Sequence, residues 1–577
     1  MAIEHHTPIL LVGSGPTGLT LSLQLSRLGV KSMLVERNLD TTKWPKMDIT
    51  NVRSMELFNR LDIAKGLREV GVPEQYSFDV ILSNGLSDGG QEIARWKLPS
   101  ASEMAHQIKA QNDGTSPREA YQRCSQVVFE AWLKRKIQTE EKENIDAHFG
   151  LKFESLVETE EGVESTLTDV VTGEKHKVYS KYVVACDGAG SRVRRSVGID
   201  LLGGPTPMAL FLIHFKSKDL TKIHKQGQFW HIFFTSRAFI ISQDEVDTWT
   251  VHKAIPLDAD WQSLDPEAVI AEVLGGNIGP YPIKVDEVPG GRVFLAGDAA
   301  HQNIPTGGYG MNTAIGDSFD LGWKLAAVMR GYGGEALLSS YEAERLPVAL
   351  RNIERSGFHF KNLLTFSHAG ITSPEVITSA TKQGDELRSQ VAENFLANNN
   401  ENQERGIEMG YRYNGSPVVN PDTEVQEPEW KFRDYIPSTW PGARAPTIFD
   451  LFGQDFTIVD FSEHGRWADE FVQAAAKLDI PIQKVHLPKE QHVAKIWERQ
   501  AVLVRPDDHV AWRSPVDGDA LVGDIERIFK IAVGQQASSS NHINIQELLK
   551  PIRENGFSGT TGNVDENKVQ MKAEFQK

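Results

Sequence analysis

Cysteine is almost missing. Cys124 and Cys186 are the only two in 577 residues, which excludes a disulfide scaffold and a cysteine-rich metal site and suits a reducing compartment. No His-x-x-x-His or His/Cys cluster has metal-ligand spacing, so no metal is expected, and no hydrolase nucleophile elbow is expected either. Long apolar runs are absent. The longest, such as Ile9–Val12 and Tyr182–Ala185, have strand length, far below the roughly 18 residues of a membrane span. No basic segment precedes a hydrophobic core at the N-terminus, and the last four residues match no lipidation or peroxisomal signal. A cytoplasmic protein is expected. Positive charge is in deficit: 61 Lys and Arg against 78 Asp and Glu give a formal net charge of −17, which argues against nucleic acid as a partner. What remains is a globular balance, 40% hydrophobic and 24% charged, with ample core material for several domains.

The first positive signal lies near the start. Pro8–Val12 is a short apolar run fit for a buried parallel strand. It leads into Gly13-Ser14-Gly15-Pro16-Thr17-Gly18, and Leu19–Leu28 then carries leucine at 19, 21, 23, 25 and 28, a helix apolar around most of its circumference. Met33–Val35 is a second strand, ending at Glu36 and Arg37. Each glycine has a job: Gly13 for the tight turn, Gly15 for close approach of a diphosphate, Gly18 for helix–strand packing. The helix that Pro16 opens offers free N–H groups at its N-terminus from Thr17 onward, and Glu36 stands where a carboxylate accepts hydrogen bonds from a ribose diol. This predicts dinucleotide binding without choosing between NAD and FAD.

Two further segments favour FAD. The run Tyr182–Cys186 enters Asp187-Gly188-Ala189-Gly190-Ser191-Arg192-Val193-Arg194. Val293–Ala296 enters Gly297-Asp298-Ala299-Ala300-His301, followed by Pro305-Thr306-Gly307-Gly308-Tyr309-Gly310-Met311-Asn312 and a long helix from about 313 to 330. Backbone N–H groups at Gly310, Met311 and Asn312 would face a cleft at a helix N-terminus, suited to the electron-rich edge of a flavin, with Asp298 reaching ribityl or ribose hydroxyls.

With these three motifs the sequence resembles the group A flavoprotein aromatic monooxygenases, in the phenol hydroxylase-like branch. The resemblance implies an α/β (α+β multidomain) fold: a glutathione-reductase-like, Rossmann-type FAD domain (about 1–80, 105–200 and 285–370) interleaved with a mixed-sheet substrate domain (about 81–104, 201–284 and 371–437). Gly188 and Gly190 are followed by Val193, not Gly, so no second dinucleotide fingerprint exists. This fits a family whose NADPH or NADH binds transiently, with the Asp187 segment linked to both cofactors. By the same resemblance Gln126 touches the FAD, and Lys46 stands where these proteins often carry an Arg, keeping the charge but losing the planar fork. Asp48, in Asp48–Glu56, is implied to take the proton of a phenolic substrate; a cap on the following helix is the plainer reading.

Strand-like runs crowd residues 205–285. On the third, Asp247–Lys253, the family's usual Arg or Tyr gives way to Thr250 and His252; His252 could hydrogen-bond a phenol, ketone or carboxylate. His214, Trp230 and His231 are weaker candidates. The implied reaction is NAD(P)H- and O2-consuming hydroxylation of a phenolic or polyketide-like aromatic through a flavin C4a-hydroperoxide. Baeyer–Villiger oxidation or epoxidation with the same cofactor is the alternative, and a non-catalytic flavin-binding module the second. Pro437–Pro446 marks a boundary near 438. Beyond it, strands and helices alternate to about 540 in a unit resembling the branch's thioredoxin-like domain. Neither cysteine lies there, so thiol redox chemistry is excluded, and the unit serves structure or homodimer contact. Residues 541–577 form a partly flexible extension.

Overall fold

The computed structural model describes residues 2–43, 48–111, 113–202, 209–286, 299–304, 306–397, 401, 403–422, 431–516, 525–538, 544–545 and 547–550. Lys46, Asp298 and Pro305, the strand expected at 293–296 and the extension beyond 550 lie outside them.

The strand Ile3–Val12 is fully buried from Ile9 to Leu11, as an all-apolar run flanked by parallel neighbours must be. It pairs in parallel with Ser32–Glu36 on one side and Lys175–Ala185 on the other. Ile145–Phe149 extends the parallel part, and the hairpin of Leu151–Thr159 and Gly162–Asp169 completes a six-stranded sheet. The helix Pro16–Arg27 buries Leu19, Leu21, Leu23 and Leu25 because it is covered on two sides, by this sheet and by the helix Tyr309–Met329. The two helices cross closely: Gln24 donates to the Phe319 carbonyl at 3.0 Å and Ser318 to the Thr17 carbonyl at 3.1 Å. A Cβ on Gly322 would lie 2.3 Å from Gln24 Oε1, so a larger residue there would force the Gln24 amide to shift.

A second six-stranded sheet runs in the order Ala209–Lys216, Thr248–Ile255, Ala238–Ser242, His231–Phe234, Val80–Ser83 and Glu92–Trp96. Period-two alternation gives it two apolar faces. Ile213, Phe215, Ile232, Ile240, Trp249 and Val251 pack with the helix Pro266–Gly275, whereas Trp230 and Phe233 pack with Ile49 and Val52 of the first domain.

A third sheet, ordered Ile482–His486, Phe456–Asp460, Ala501–Val504 and Val510–Arg513, holds the C-terminal unit. Its first pair is parallel and the others antiparallel. The helix Arg466–Lys477 covers it. Buried charges join this unit to the rest. Arg444 Nε meets Glu56 at 3.0 Å, Arg53 meets Glu56 at 3.1 Å and Asp508 at 3.2 Å, and Arg505 meets Glu344 at 2.6 Å. Asp320, Glu344 and Asp507 converge as a metal site might, but Lys324 bonds Asp320 and Glu344 at 2.8 and 2.7 Å and Arg505 bonds all three. Burial pushes the Glu344 carboxyl up, and Arg505 and Lys324 outweigh it, holding the group well below the usual carboxylate range. Among the described residues no helix is long and apolar enough to cross a membrane.

Candidate active site

The turn after the first strand is built for close approach. Gly13 has φ +105°, and a Cβ there would lie 2.3 Å from the Cys186 carbonyl oxygen; its N–H donates to the Val35 carbonyl at 2.8 Å. A Cβ on Gly18 would meet the Gly13 carbonyl at 2.0 Å. Gly15, by contrast, would meet nothing within 4 Å: two glycines are packed shut and the middle one faces open space, which is the shape a diphosphate needs. Pro16 is buried at the first helical position and Thr17 is half-buried behind it.

Glu36 accepts from the Ser14 N–H at 3.0 Å and the Asn38 N–H at 2.9 Å, so its carboxylate is held at the strand end, while Arg37 is exposed. Asp187 caps the next turn: one carboxylate oxygen accepts from the Arg192 N–H at 2.7 Å, and the other, Oδ1, is buried without a partner. A buried carboxylate oxygen left open beside the Gly13 turn is a place for a ligand donor. Gln126 is buried rather than solvated and donates to Glu130 at 2.6 Å.

At the other end, Gly308 (φ +64°) starts the helix Tyr309–Met329, and a Cβ on Gly310 would meet only Asn303 at 3.9 Å. Met311 packs against the core of the first domain. The side chain of Asn312 accepts from the Asn51 N–H at 3.0 Å and donates to the Ile49 and Gly308 carbonyls at 3.2 and 2.7 Å. It therefore ties the helix N-terminus to the segment that carries Asp48.

Asp48 does not cap the following helix. Asn51 does, accepting from the Ser54 N–H at 2.9 Å. The Asp48 carboxylate is buried and accepts a short hydrogen bond from the Trp230 indole N–H. Burial pushes its acidity down, raising the pKa, while nearby Arg123 and the indole oppose that. Arg123 stacks 5.8 Å over Trp230 and 5.5 Å over Phe78 and pairs with Glu245 at 2.6 Å. Trp230 is a weak candidate in the sequence, and Arg123 and Glu245 are not candidates there at all, because no local pattern connects them to Asp48. His231 lies against Trp230, ring centroids 4.1 Å apart. His252 stacks on Phe239 at 4.4 Å, and burial lowers its pKa to about 3. His214 Nδ1 lies 3.4 Å from Thr250 Oγ1. The segment Gly85–Gly89 spells Gly-x-Ser-x-Gly, but it turns between two antiparallel strands and Ser87 bonds the Gly279 carbonyl at 3.2 Å, so it is no nucleophile elbow.

Comparison with known proteins follows the same lines. A family model described as an FAD binding domain matches residues 6–267 and 283–356, and one described as the C-terminal region of aromatic-ring hydroxylases matches 435–532. The chain is similar to the FAD-dependent monooxygenase apdD of Emericella nidulans, at 42% identity over 93% of this chain and 92% of that protein. It is also similar to the 2,4-dichlorophenol 6-monooxygenase of Cupriavidus pinatubonensis, at 25% identity over 94% and 99%. The solved structure of the flavin-dependent monooxygenase PieE with FAD and substrate aligns with a TM-score of 0.79 and 27% identity, covering 92% of this chain and 100% of that one. On these matches the chain belongs to the family of FAD-dependent aromatic-ring hydroxylases.

Proposed function

We propose that the protein hydroxylates a phenolic or polyketide-like aromatic, with Asp48 as the base that accepts the substrate's hydroxyl proton. The observation that carries this reading is the placing of a buried carboxylate, gripped by the Trp230 indole, on the segment that Asn312 ties to the helix N-terminus. Bound FAD supplies two-electron reduction by NADPH or NADH and oxygen-atom transfer from O2. The chain's own residues do the rest. Gly13, Gly15 and Gly18 let the diphosphate lie against the backbone, with Pro16 opening the helix and the Thr17 N–H turned to it; Glu36 takes the ribose hydroxyls. Asp187 Oδ1 accepts from the cofactor, and Gln126, Lys46, Asp298 and Pro305 complete its surroundings. Gly310, Met311 and Asn312 face the ring.

At the substrate, Asp48 Oδ takes the phenolic proton. The resulting phenolate pushes electron density onto the ring carbon to be oxygenated, which a neutral phenol does poorly. Trp230 orients the carboxylate, and the aromatic sheet above excludes water. Asp48→Asn and Asp48→Ala test the assignment: product per NADPH consumed should fall at least about tenfold, with the reducing equivalents released as hydrogen peroxide. Unchanged coupling in both variants would remove Asp48 from the mechanism and favour ketone or alkene oxidation, which needs no phenolate.

The reading includes the division into a monooxygenase region to residue 437, a thioredoxin-like unit over 438–540 without redox cysteines, and an extension beyond; the parallel pair followed by an antiparallel hairpin in the third sheet supports the middle part. Cytoplasmic residence and a homodimer belong to the same proposal, the latter checked by sedimentation.

A further inference from the structure

The sheet face above Asp48 carries two cross-strand rows. One reads His231, Ile241, Thr250, His214 and the next Phe233, Phe239, His252, Leu212. None of the eight is charged as an acid, Lys or Arg. Arg123, the guanidinium over the Trp230 ring, is spent on Glu245 and the Ser242 carbonyl. Within these rows two buried ring nitrogens, His231 Nε2 and His252 Nδ1, have no hydrogen-bond partner, whereas His214 has Thr250 at 3.4 Å. Strand geometry sets the Cα atoms of His231 and His252, two strands and two residues apart, at about 12 Å.

An unpaired polar atom in a buried site costs free energy unless a ligand supplies its partner. The partner's charge is constrained as well. Both imidazoles are held neutral, His252 by burial and His231 by burial and by Arg123, and Asp48, bonded to the Trp230 that lies against His231, adds a negative group nearby. An ionised carboxylate brought here would be desolvated beside a like charge, and among the described residues the two rows offer it no Lys or Arg.

Resting on the hydroxylase reading, we propose that His231 and His252 are specificity-determining residues that hydrogen-bond two uncharged polar groups of one substrate, so that the enzyme takes phenolic aromatics bearing carbonyl, amide or hydroxyl groups and rejects their carboxylates. The test uses the FAD-loaded full chain and matched carboxamide/carboxylate pairs built on hydroxybenzene, hydroxynaphthalene and hydroxyanthraquinone. Flavin absorbance changes report binding, and stimulated NADPH oxidation reports turnover. Carboxamides should bind at least about tenfold more tightly than their carboxylates. His252→Lys should erase or reverse that preference, and His231→Gln, which keeps a neutral donor, should retain it while His231→Leu weakens carboxamide binding about tenfold. Equal or preferred binding of carboxylates by the unmodified enzyme overturns the proposal and leaves the hydroxylase reading standing. No response to any member of any pair overturns both. The wild-type comparison stands even if His252→Lys fails to hold FAD.

Discussion

The interface beneath the C-terminal unit and the cleft above Asp48 are both rich in buried polar groups, and they treat them in opposite ways. At the interface Arg53, Arg444, Arg505 and Lys324 each find a carboxylate at 2.6–3.1 Å. Some neutral or secondary nitrogens, such as Arg53 Nε, lack a partner, but each of these four charges is answered. At the Gly13 turn and on the sheet face above Asp48, buried polar atoms are left open: Asp187 Oδ1, His231 Nε2 and His252 Nδ1. Answered charge fixes one arrangement of domains. Open atoms raise the energy of the empty site and lower that of the filled one.

The largest effect that could break this contrast is at the interface. Arg444→Ala takes one of two guanidiniums from the buried Glu56 carboxylate, leaving Arg53 alone to answer it, and we expect about 3 kcal/mol of lost stability, read by denaturant unfolding. A variant as stable as the parent would mean the buried charges are not what holds the unit in place. Next is Gly13→Ala in the cleft. The residue's φ of +105° and the 2.3 Å approach to the Cys186 carbonyl leave a side chain no room, so the purified variant should lose its flavin absorbance while keeping its circular dichroism. Retained yellow colour would show that the turn tolerates what the geometry forbids.

Trp230→Phe sharpens the comparison by opening one bond that the cleft does satisfy. The indole N–H donates to ionised Asp48, so its loss disfavours the charged form and raises the carboxyl pKa further. The acidic limb of the coupling–pH profile should move up by about one unit; a limb that stays or moves down contradicts the pairing. The smallest effect is chemical silence. Burial pushes the Cys124 and Cys186 thiols up to about 12, so almost no thiolate exists near neutrality. Iodoacetamide should leave both unlabelled in the folded protein, and rapid labelling of buried Cys124 or half-buried Cys186 would contradict the raised thiols.

What could be read in the sequence was local. The Gly13–Gly18 turn, the leucine-covered helix and the alternation that puts Thr250 and His252 on one face follow from neighbours within a few residues, and the structure repeats them. The cap of the helix at Val52 is different: the sequence offers Asp48 for it, and only three-dimensional placing gives the role to Asn51. Trp230 and Asp48 are 182 residues apart, and Arg444 and Glu56 388 apart. No periodicity spans such distances; they are products of how three sheets pack, and the same packing decides that His231 joins the face of His252.

The Glu56–Arg444 separation also sets a timetable for synthesis. The helix Val52–Arg60 leaves the ribosome with Glu56 already paired to Arg53 of its own helix, but hundreds of codons ahead of its second guanidinium, Arg444. Until the final quarter of the polypeptide emerges, the seat of that helix rests on its apolar face, where Met55, Leu57 and Phe58 pack. A chain arrested before residue 444 should therefore be cleaved near this helix faster than the finished one.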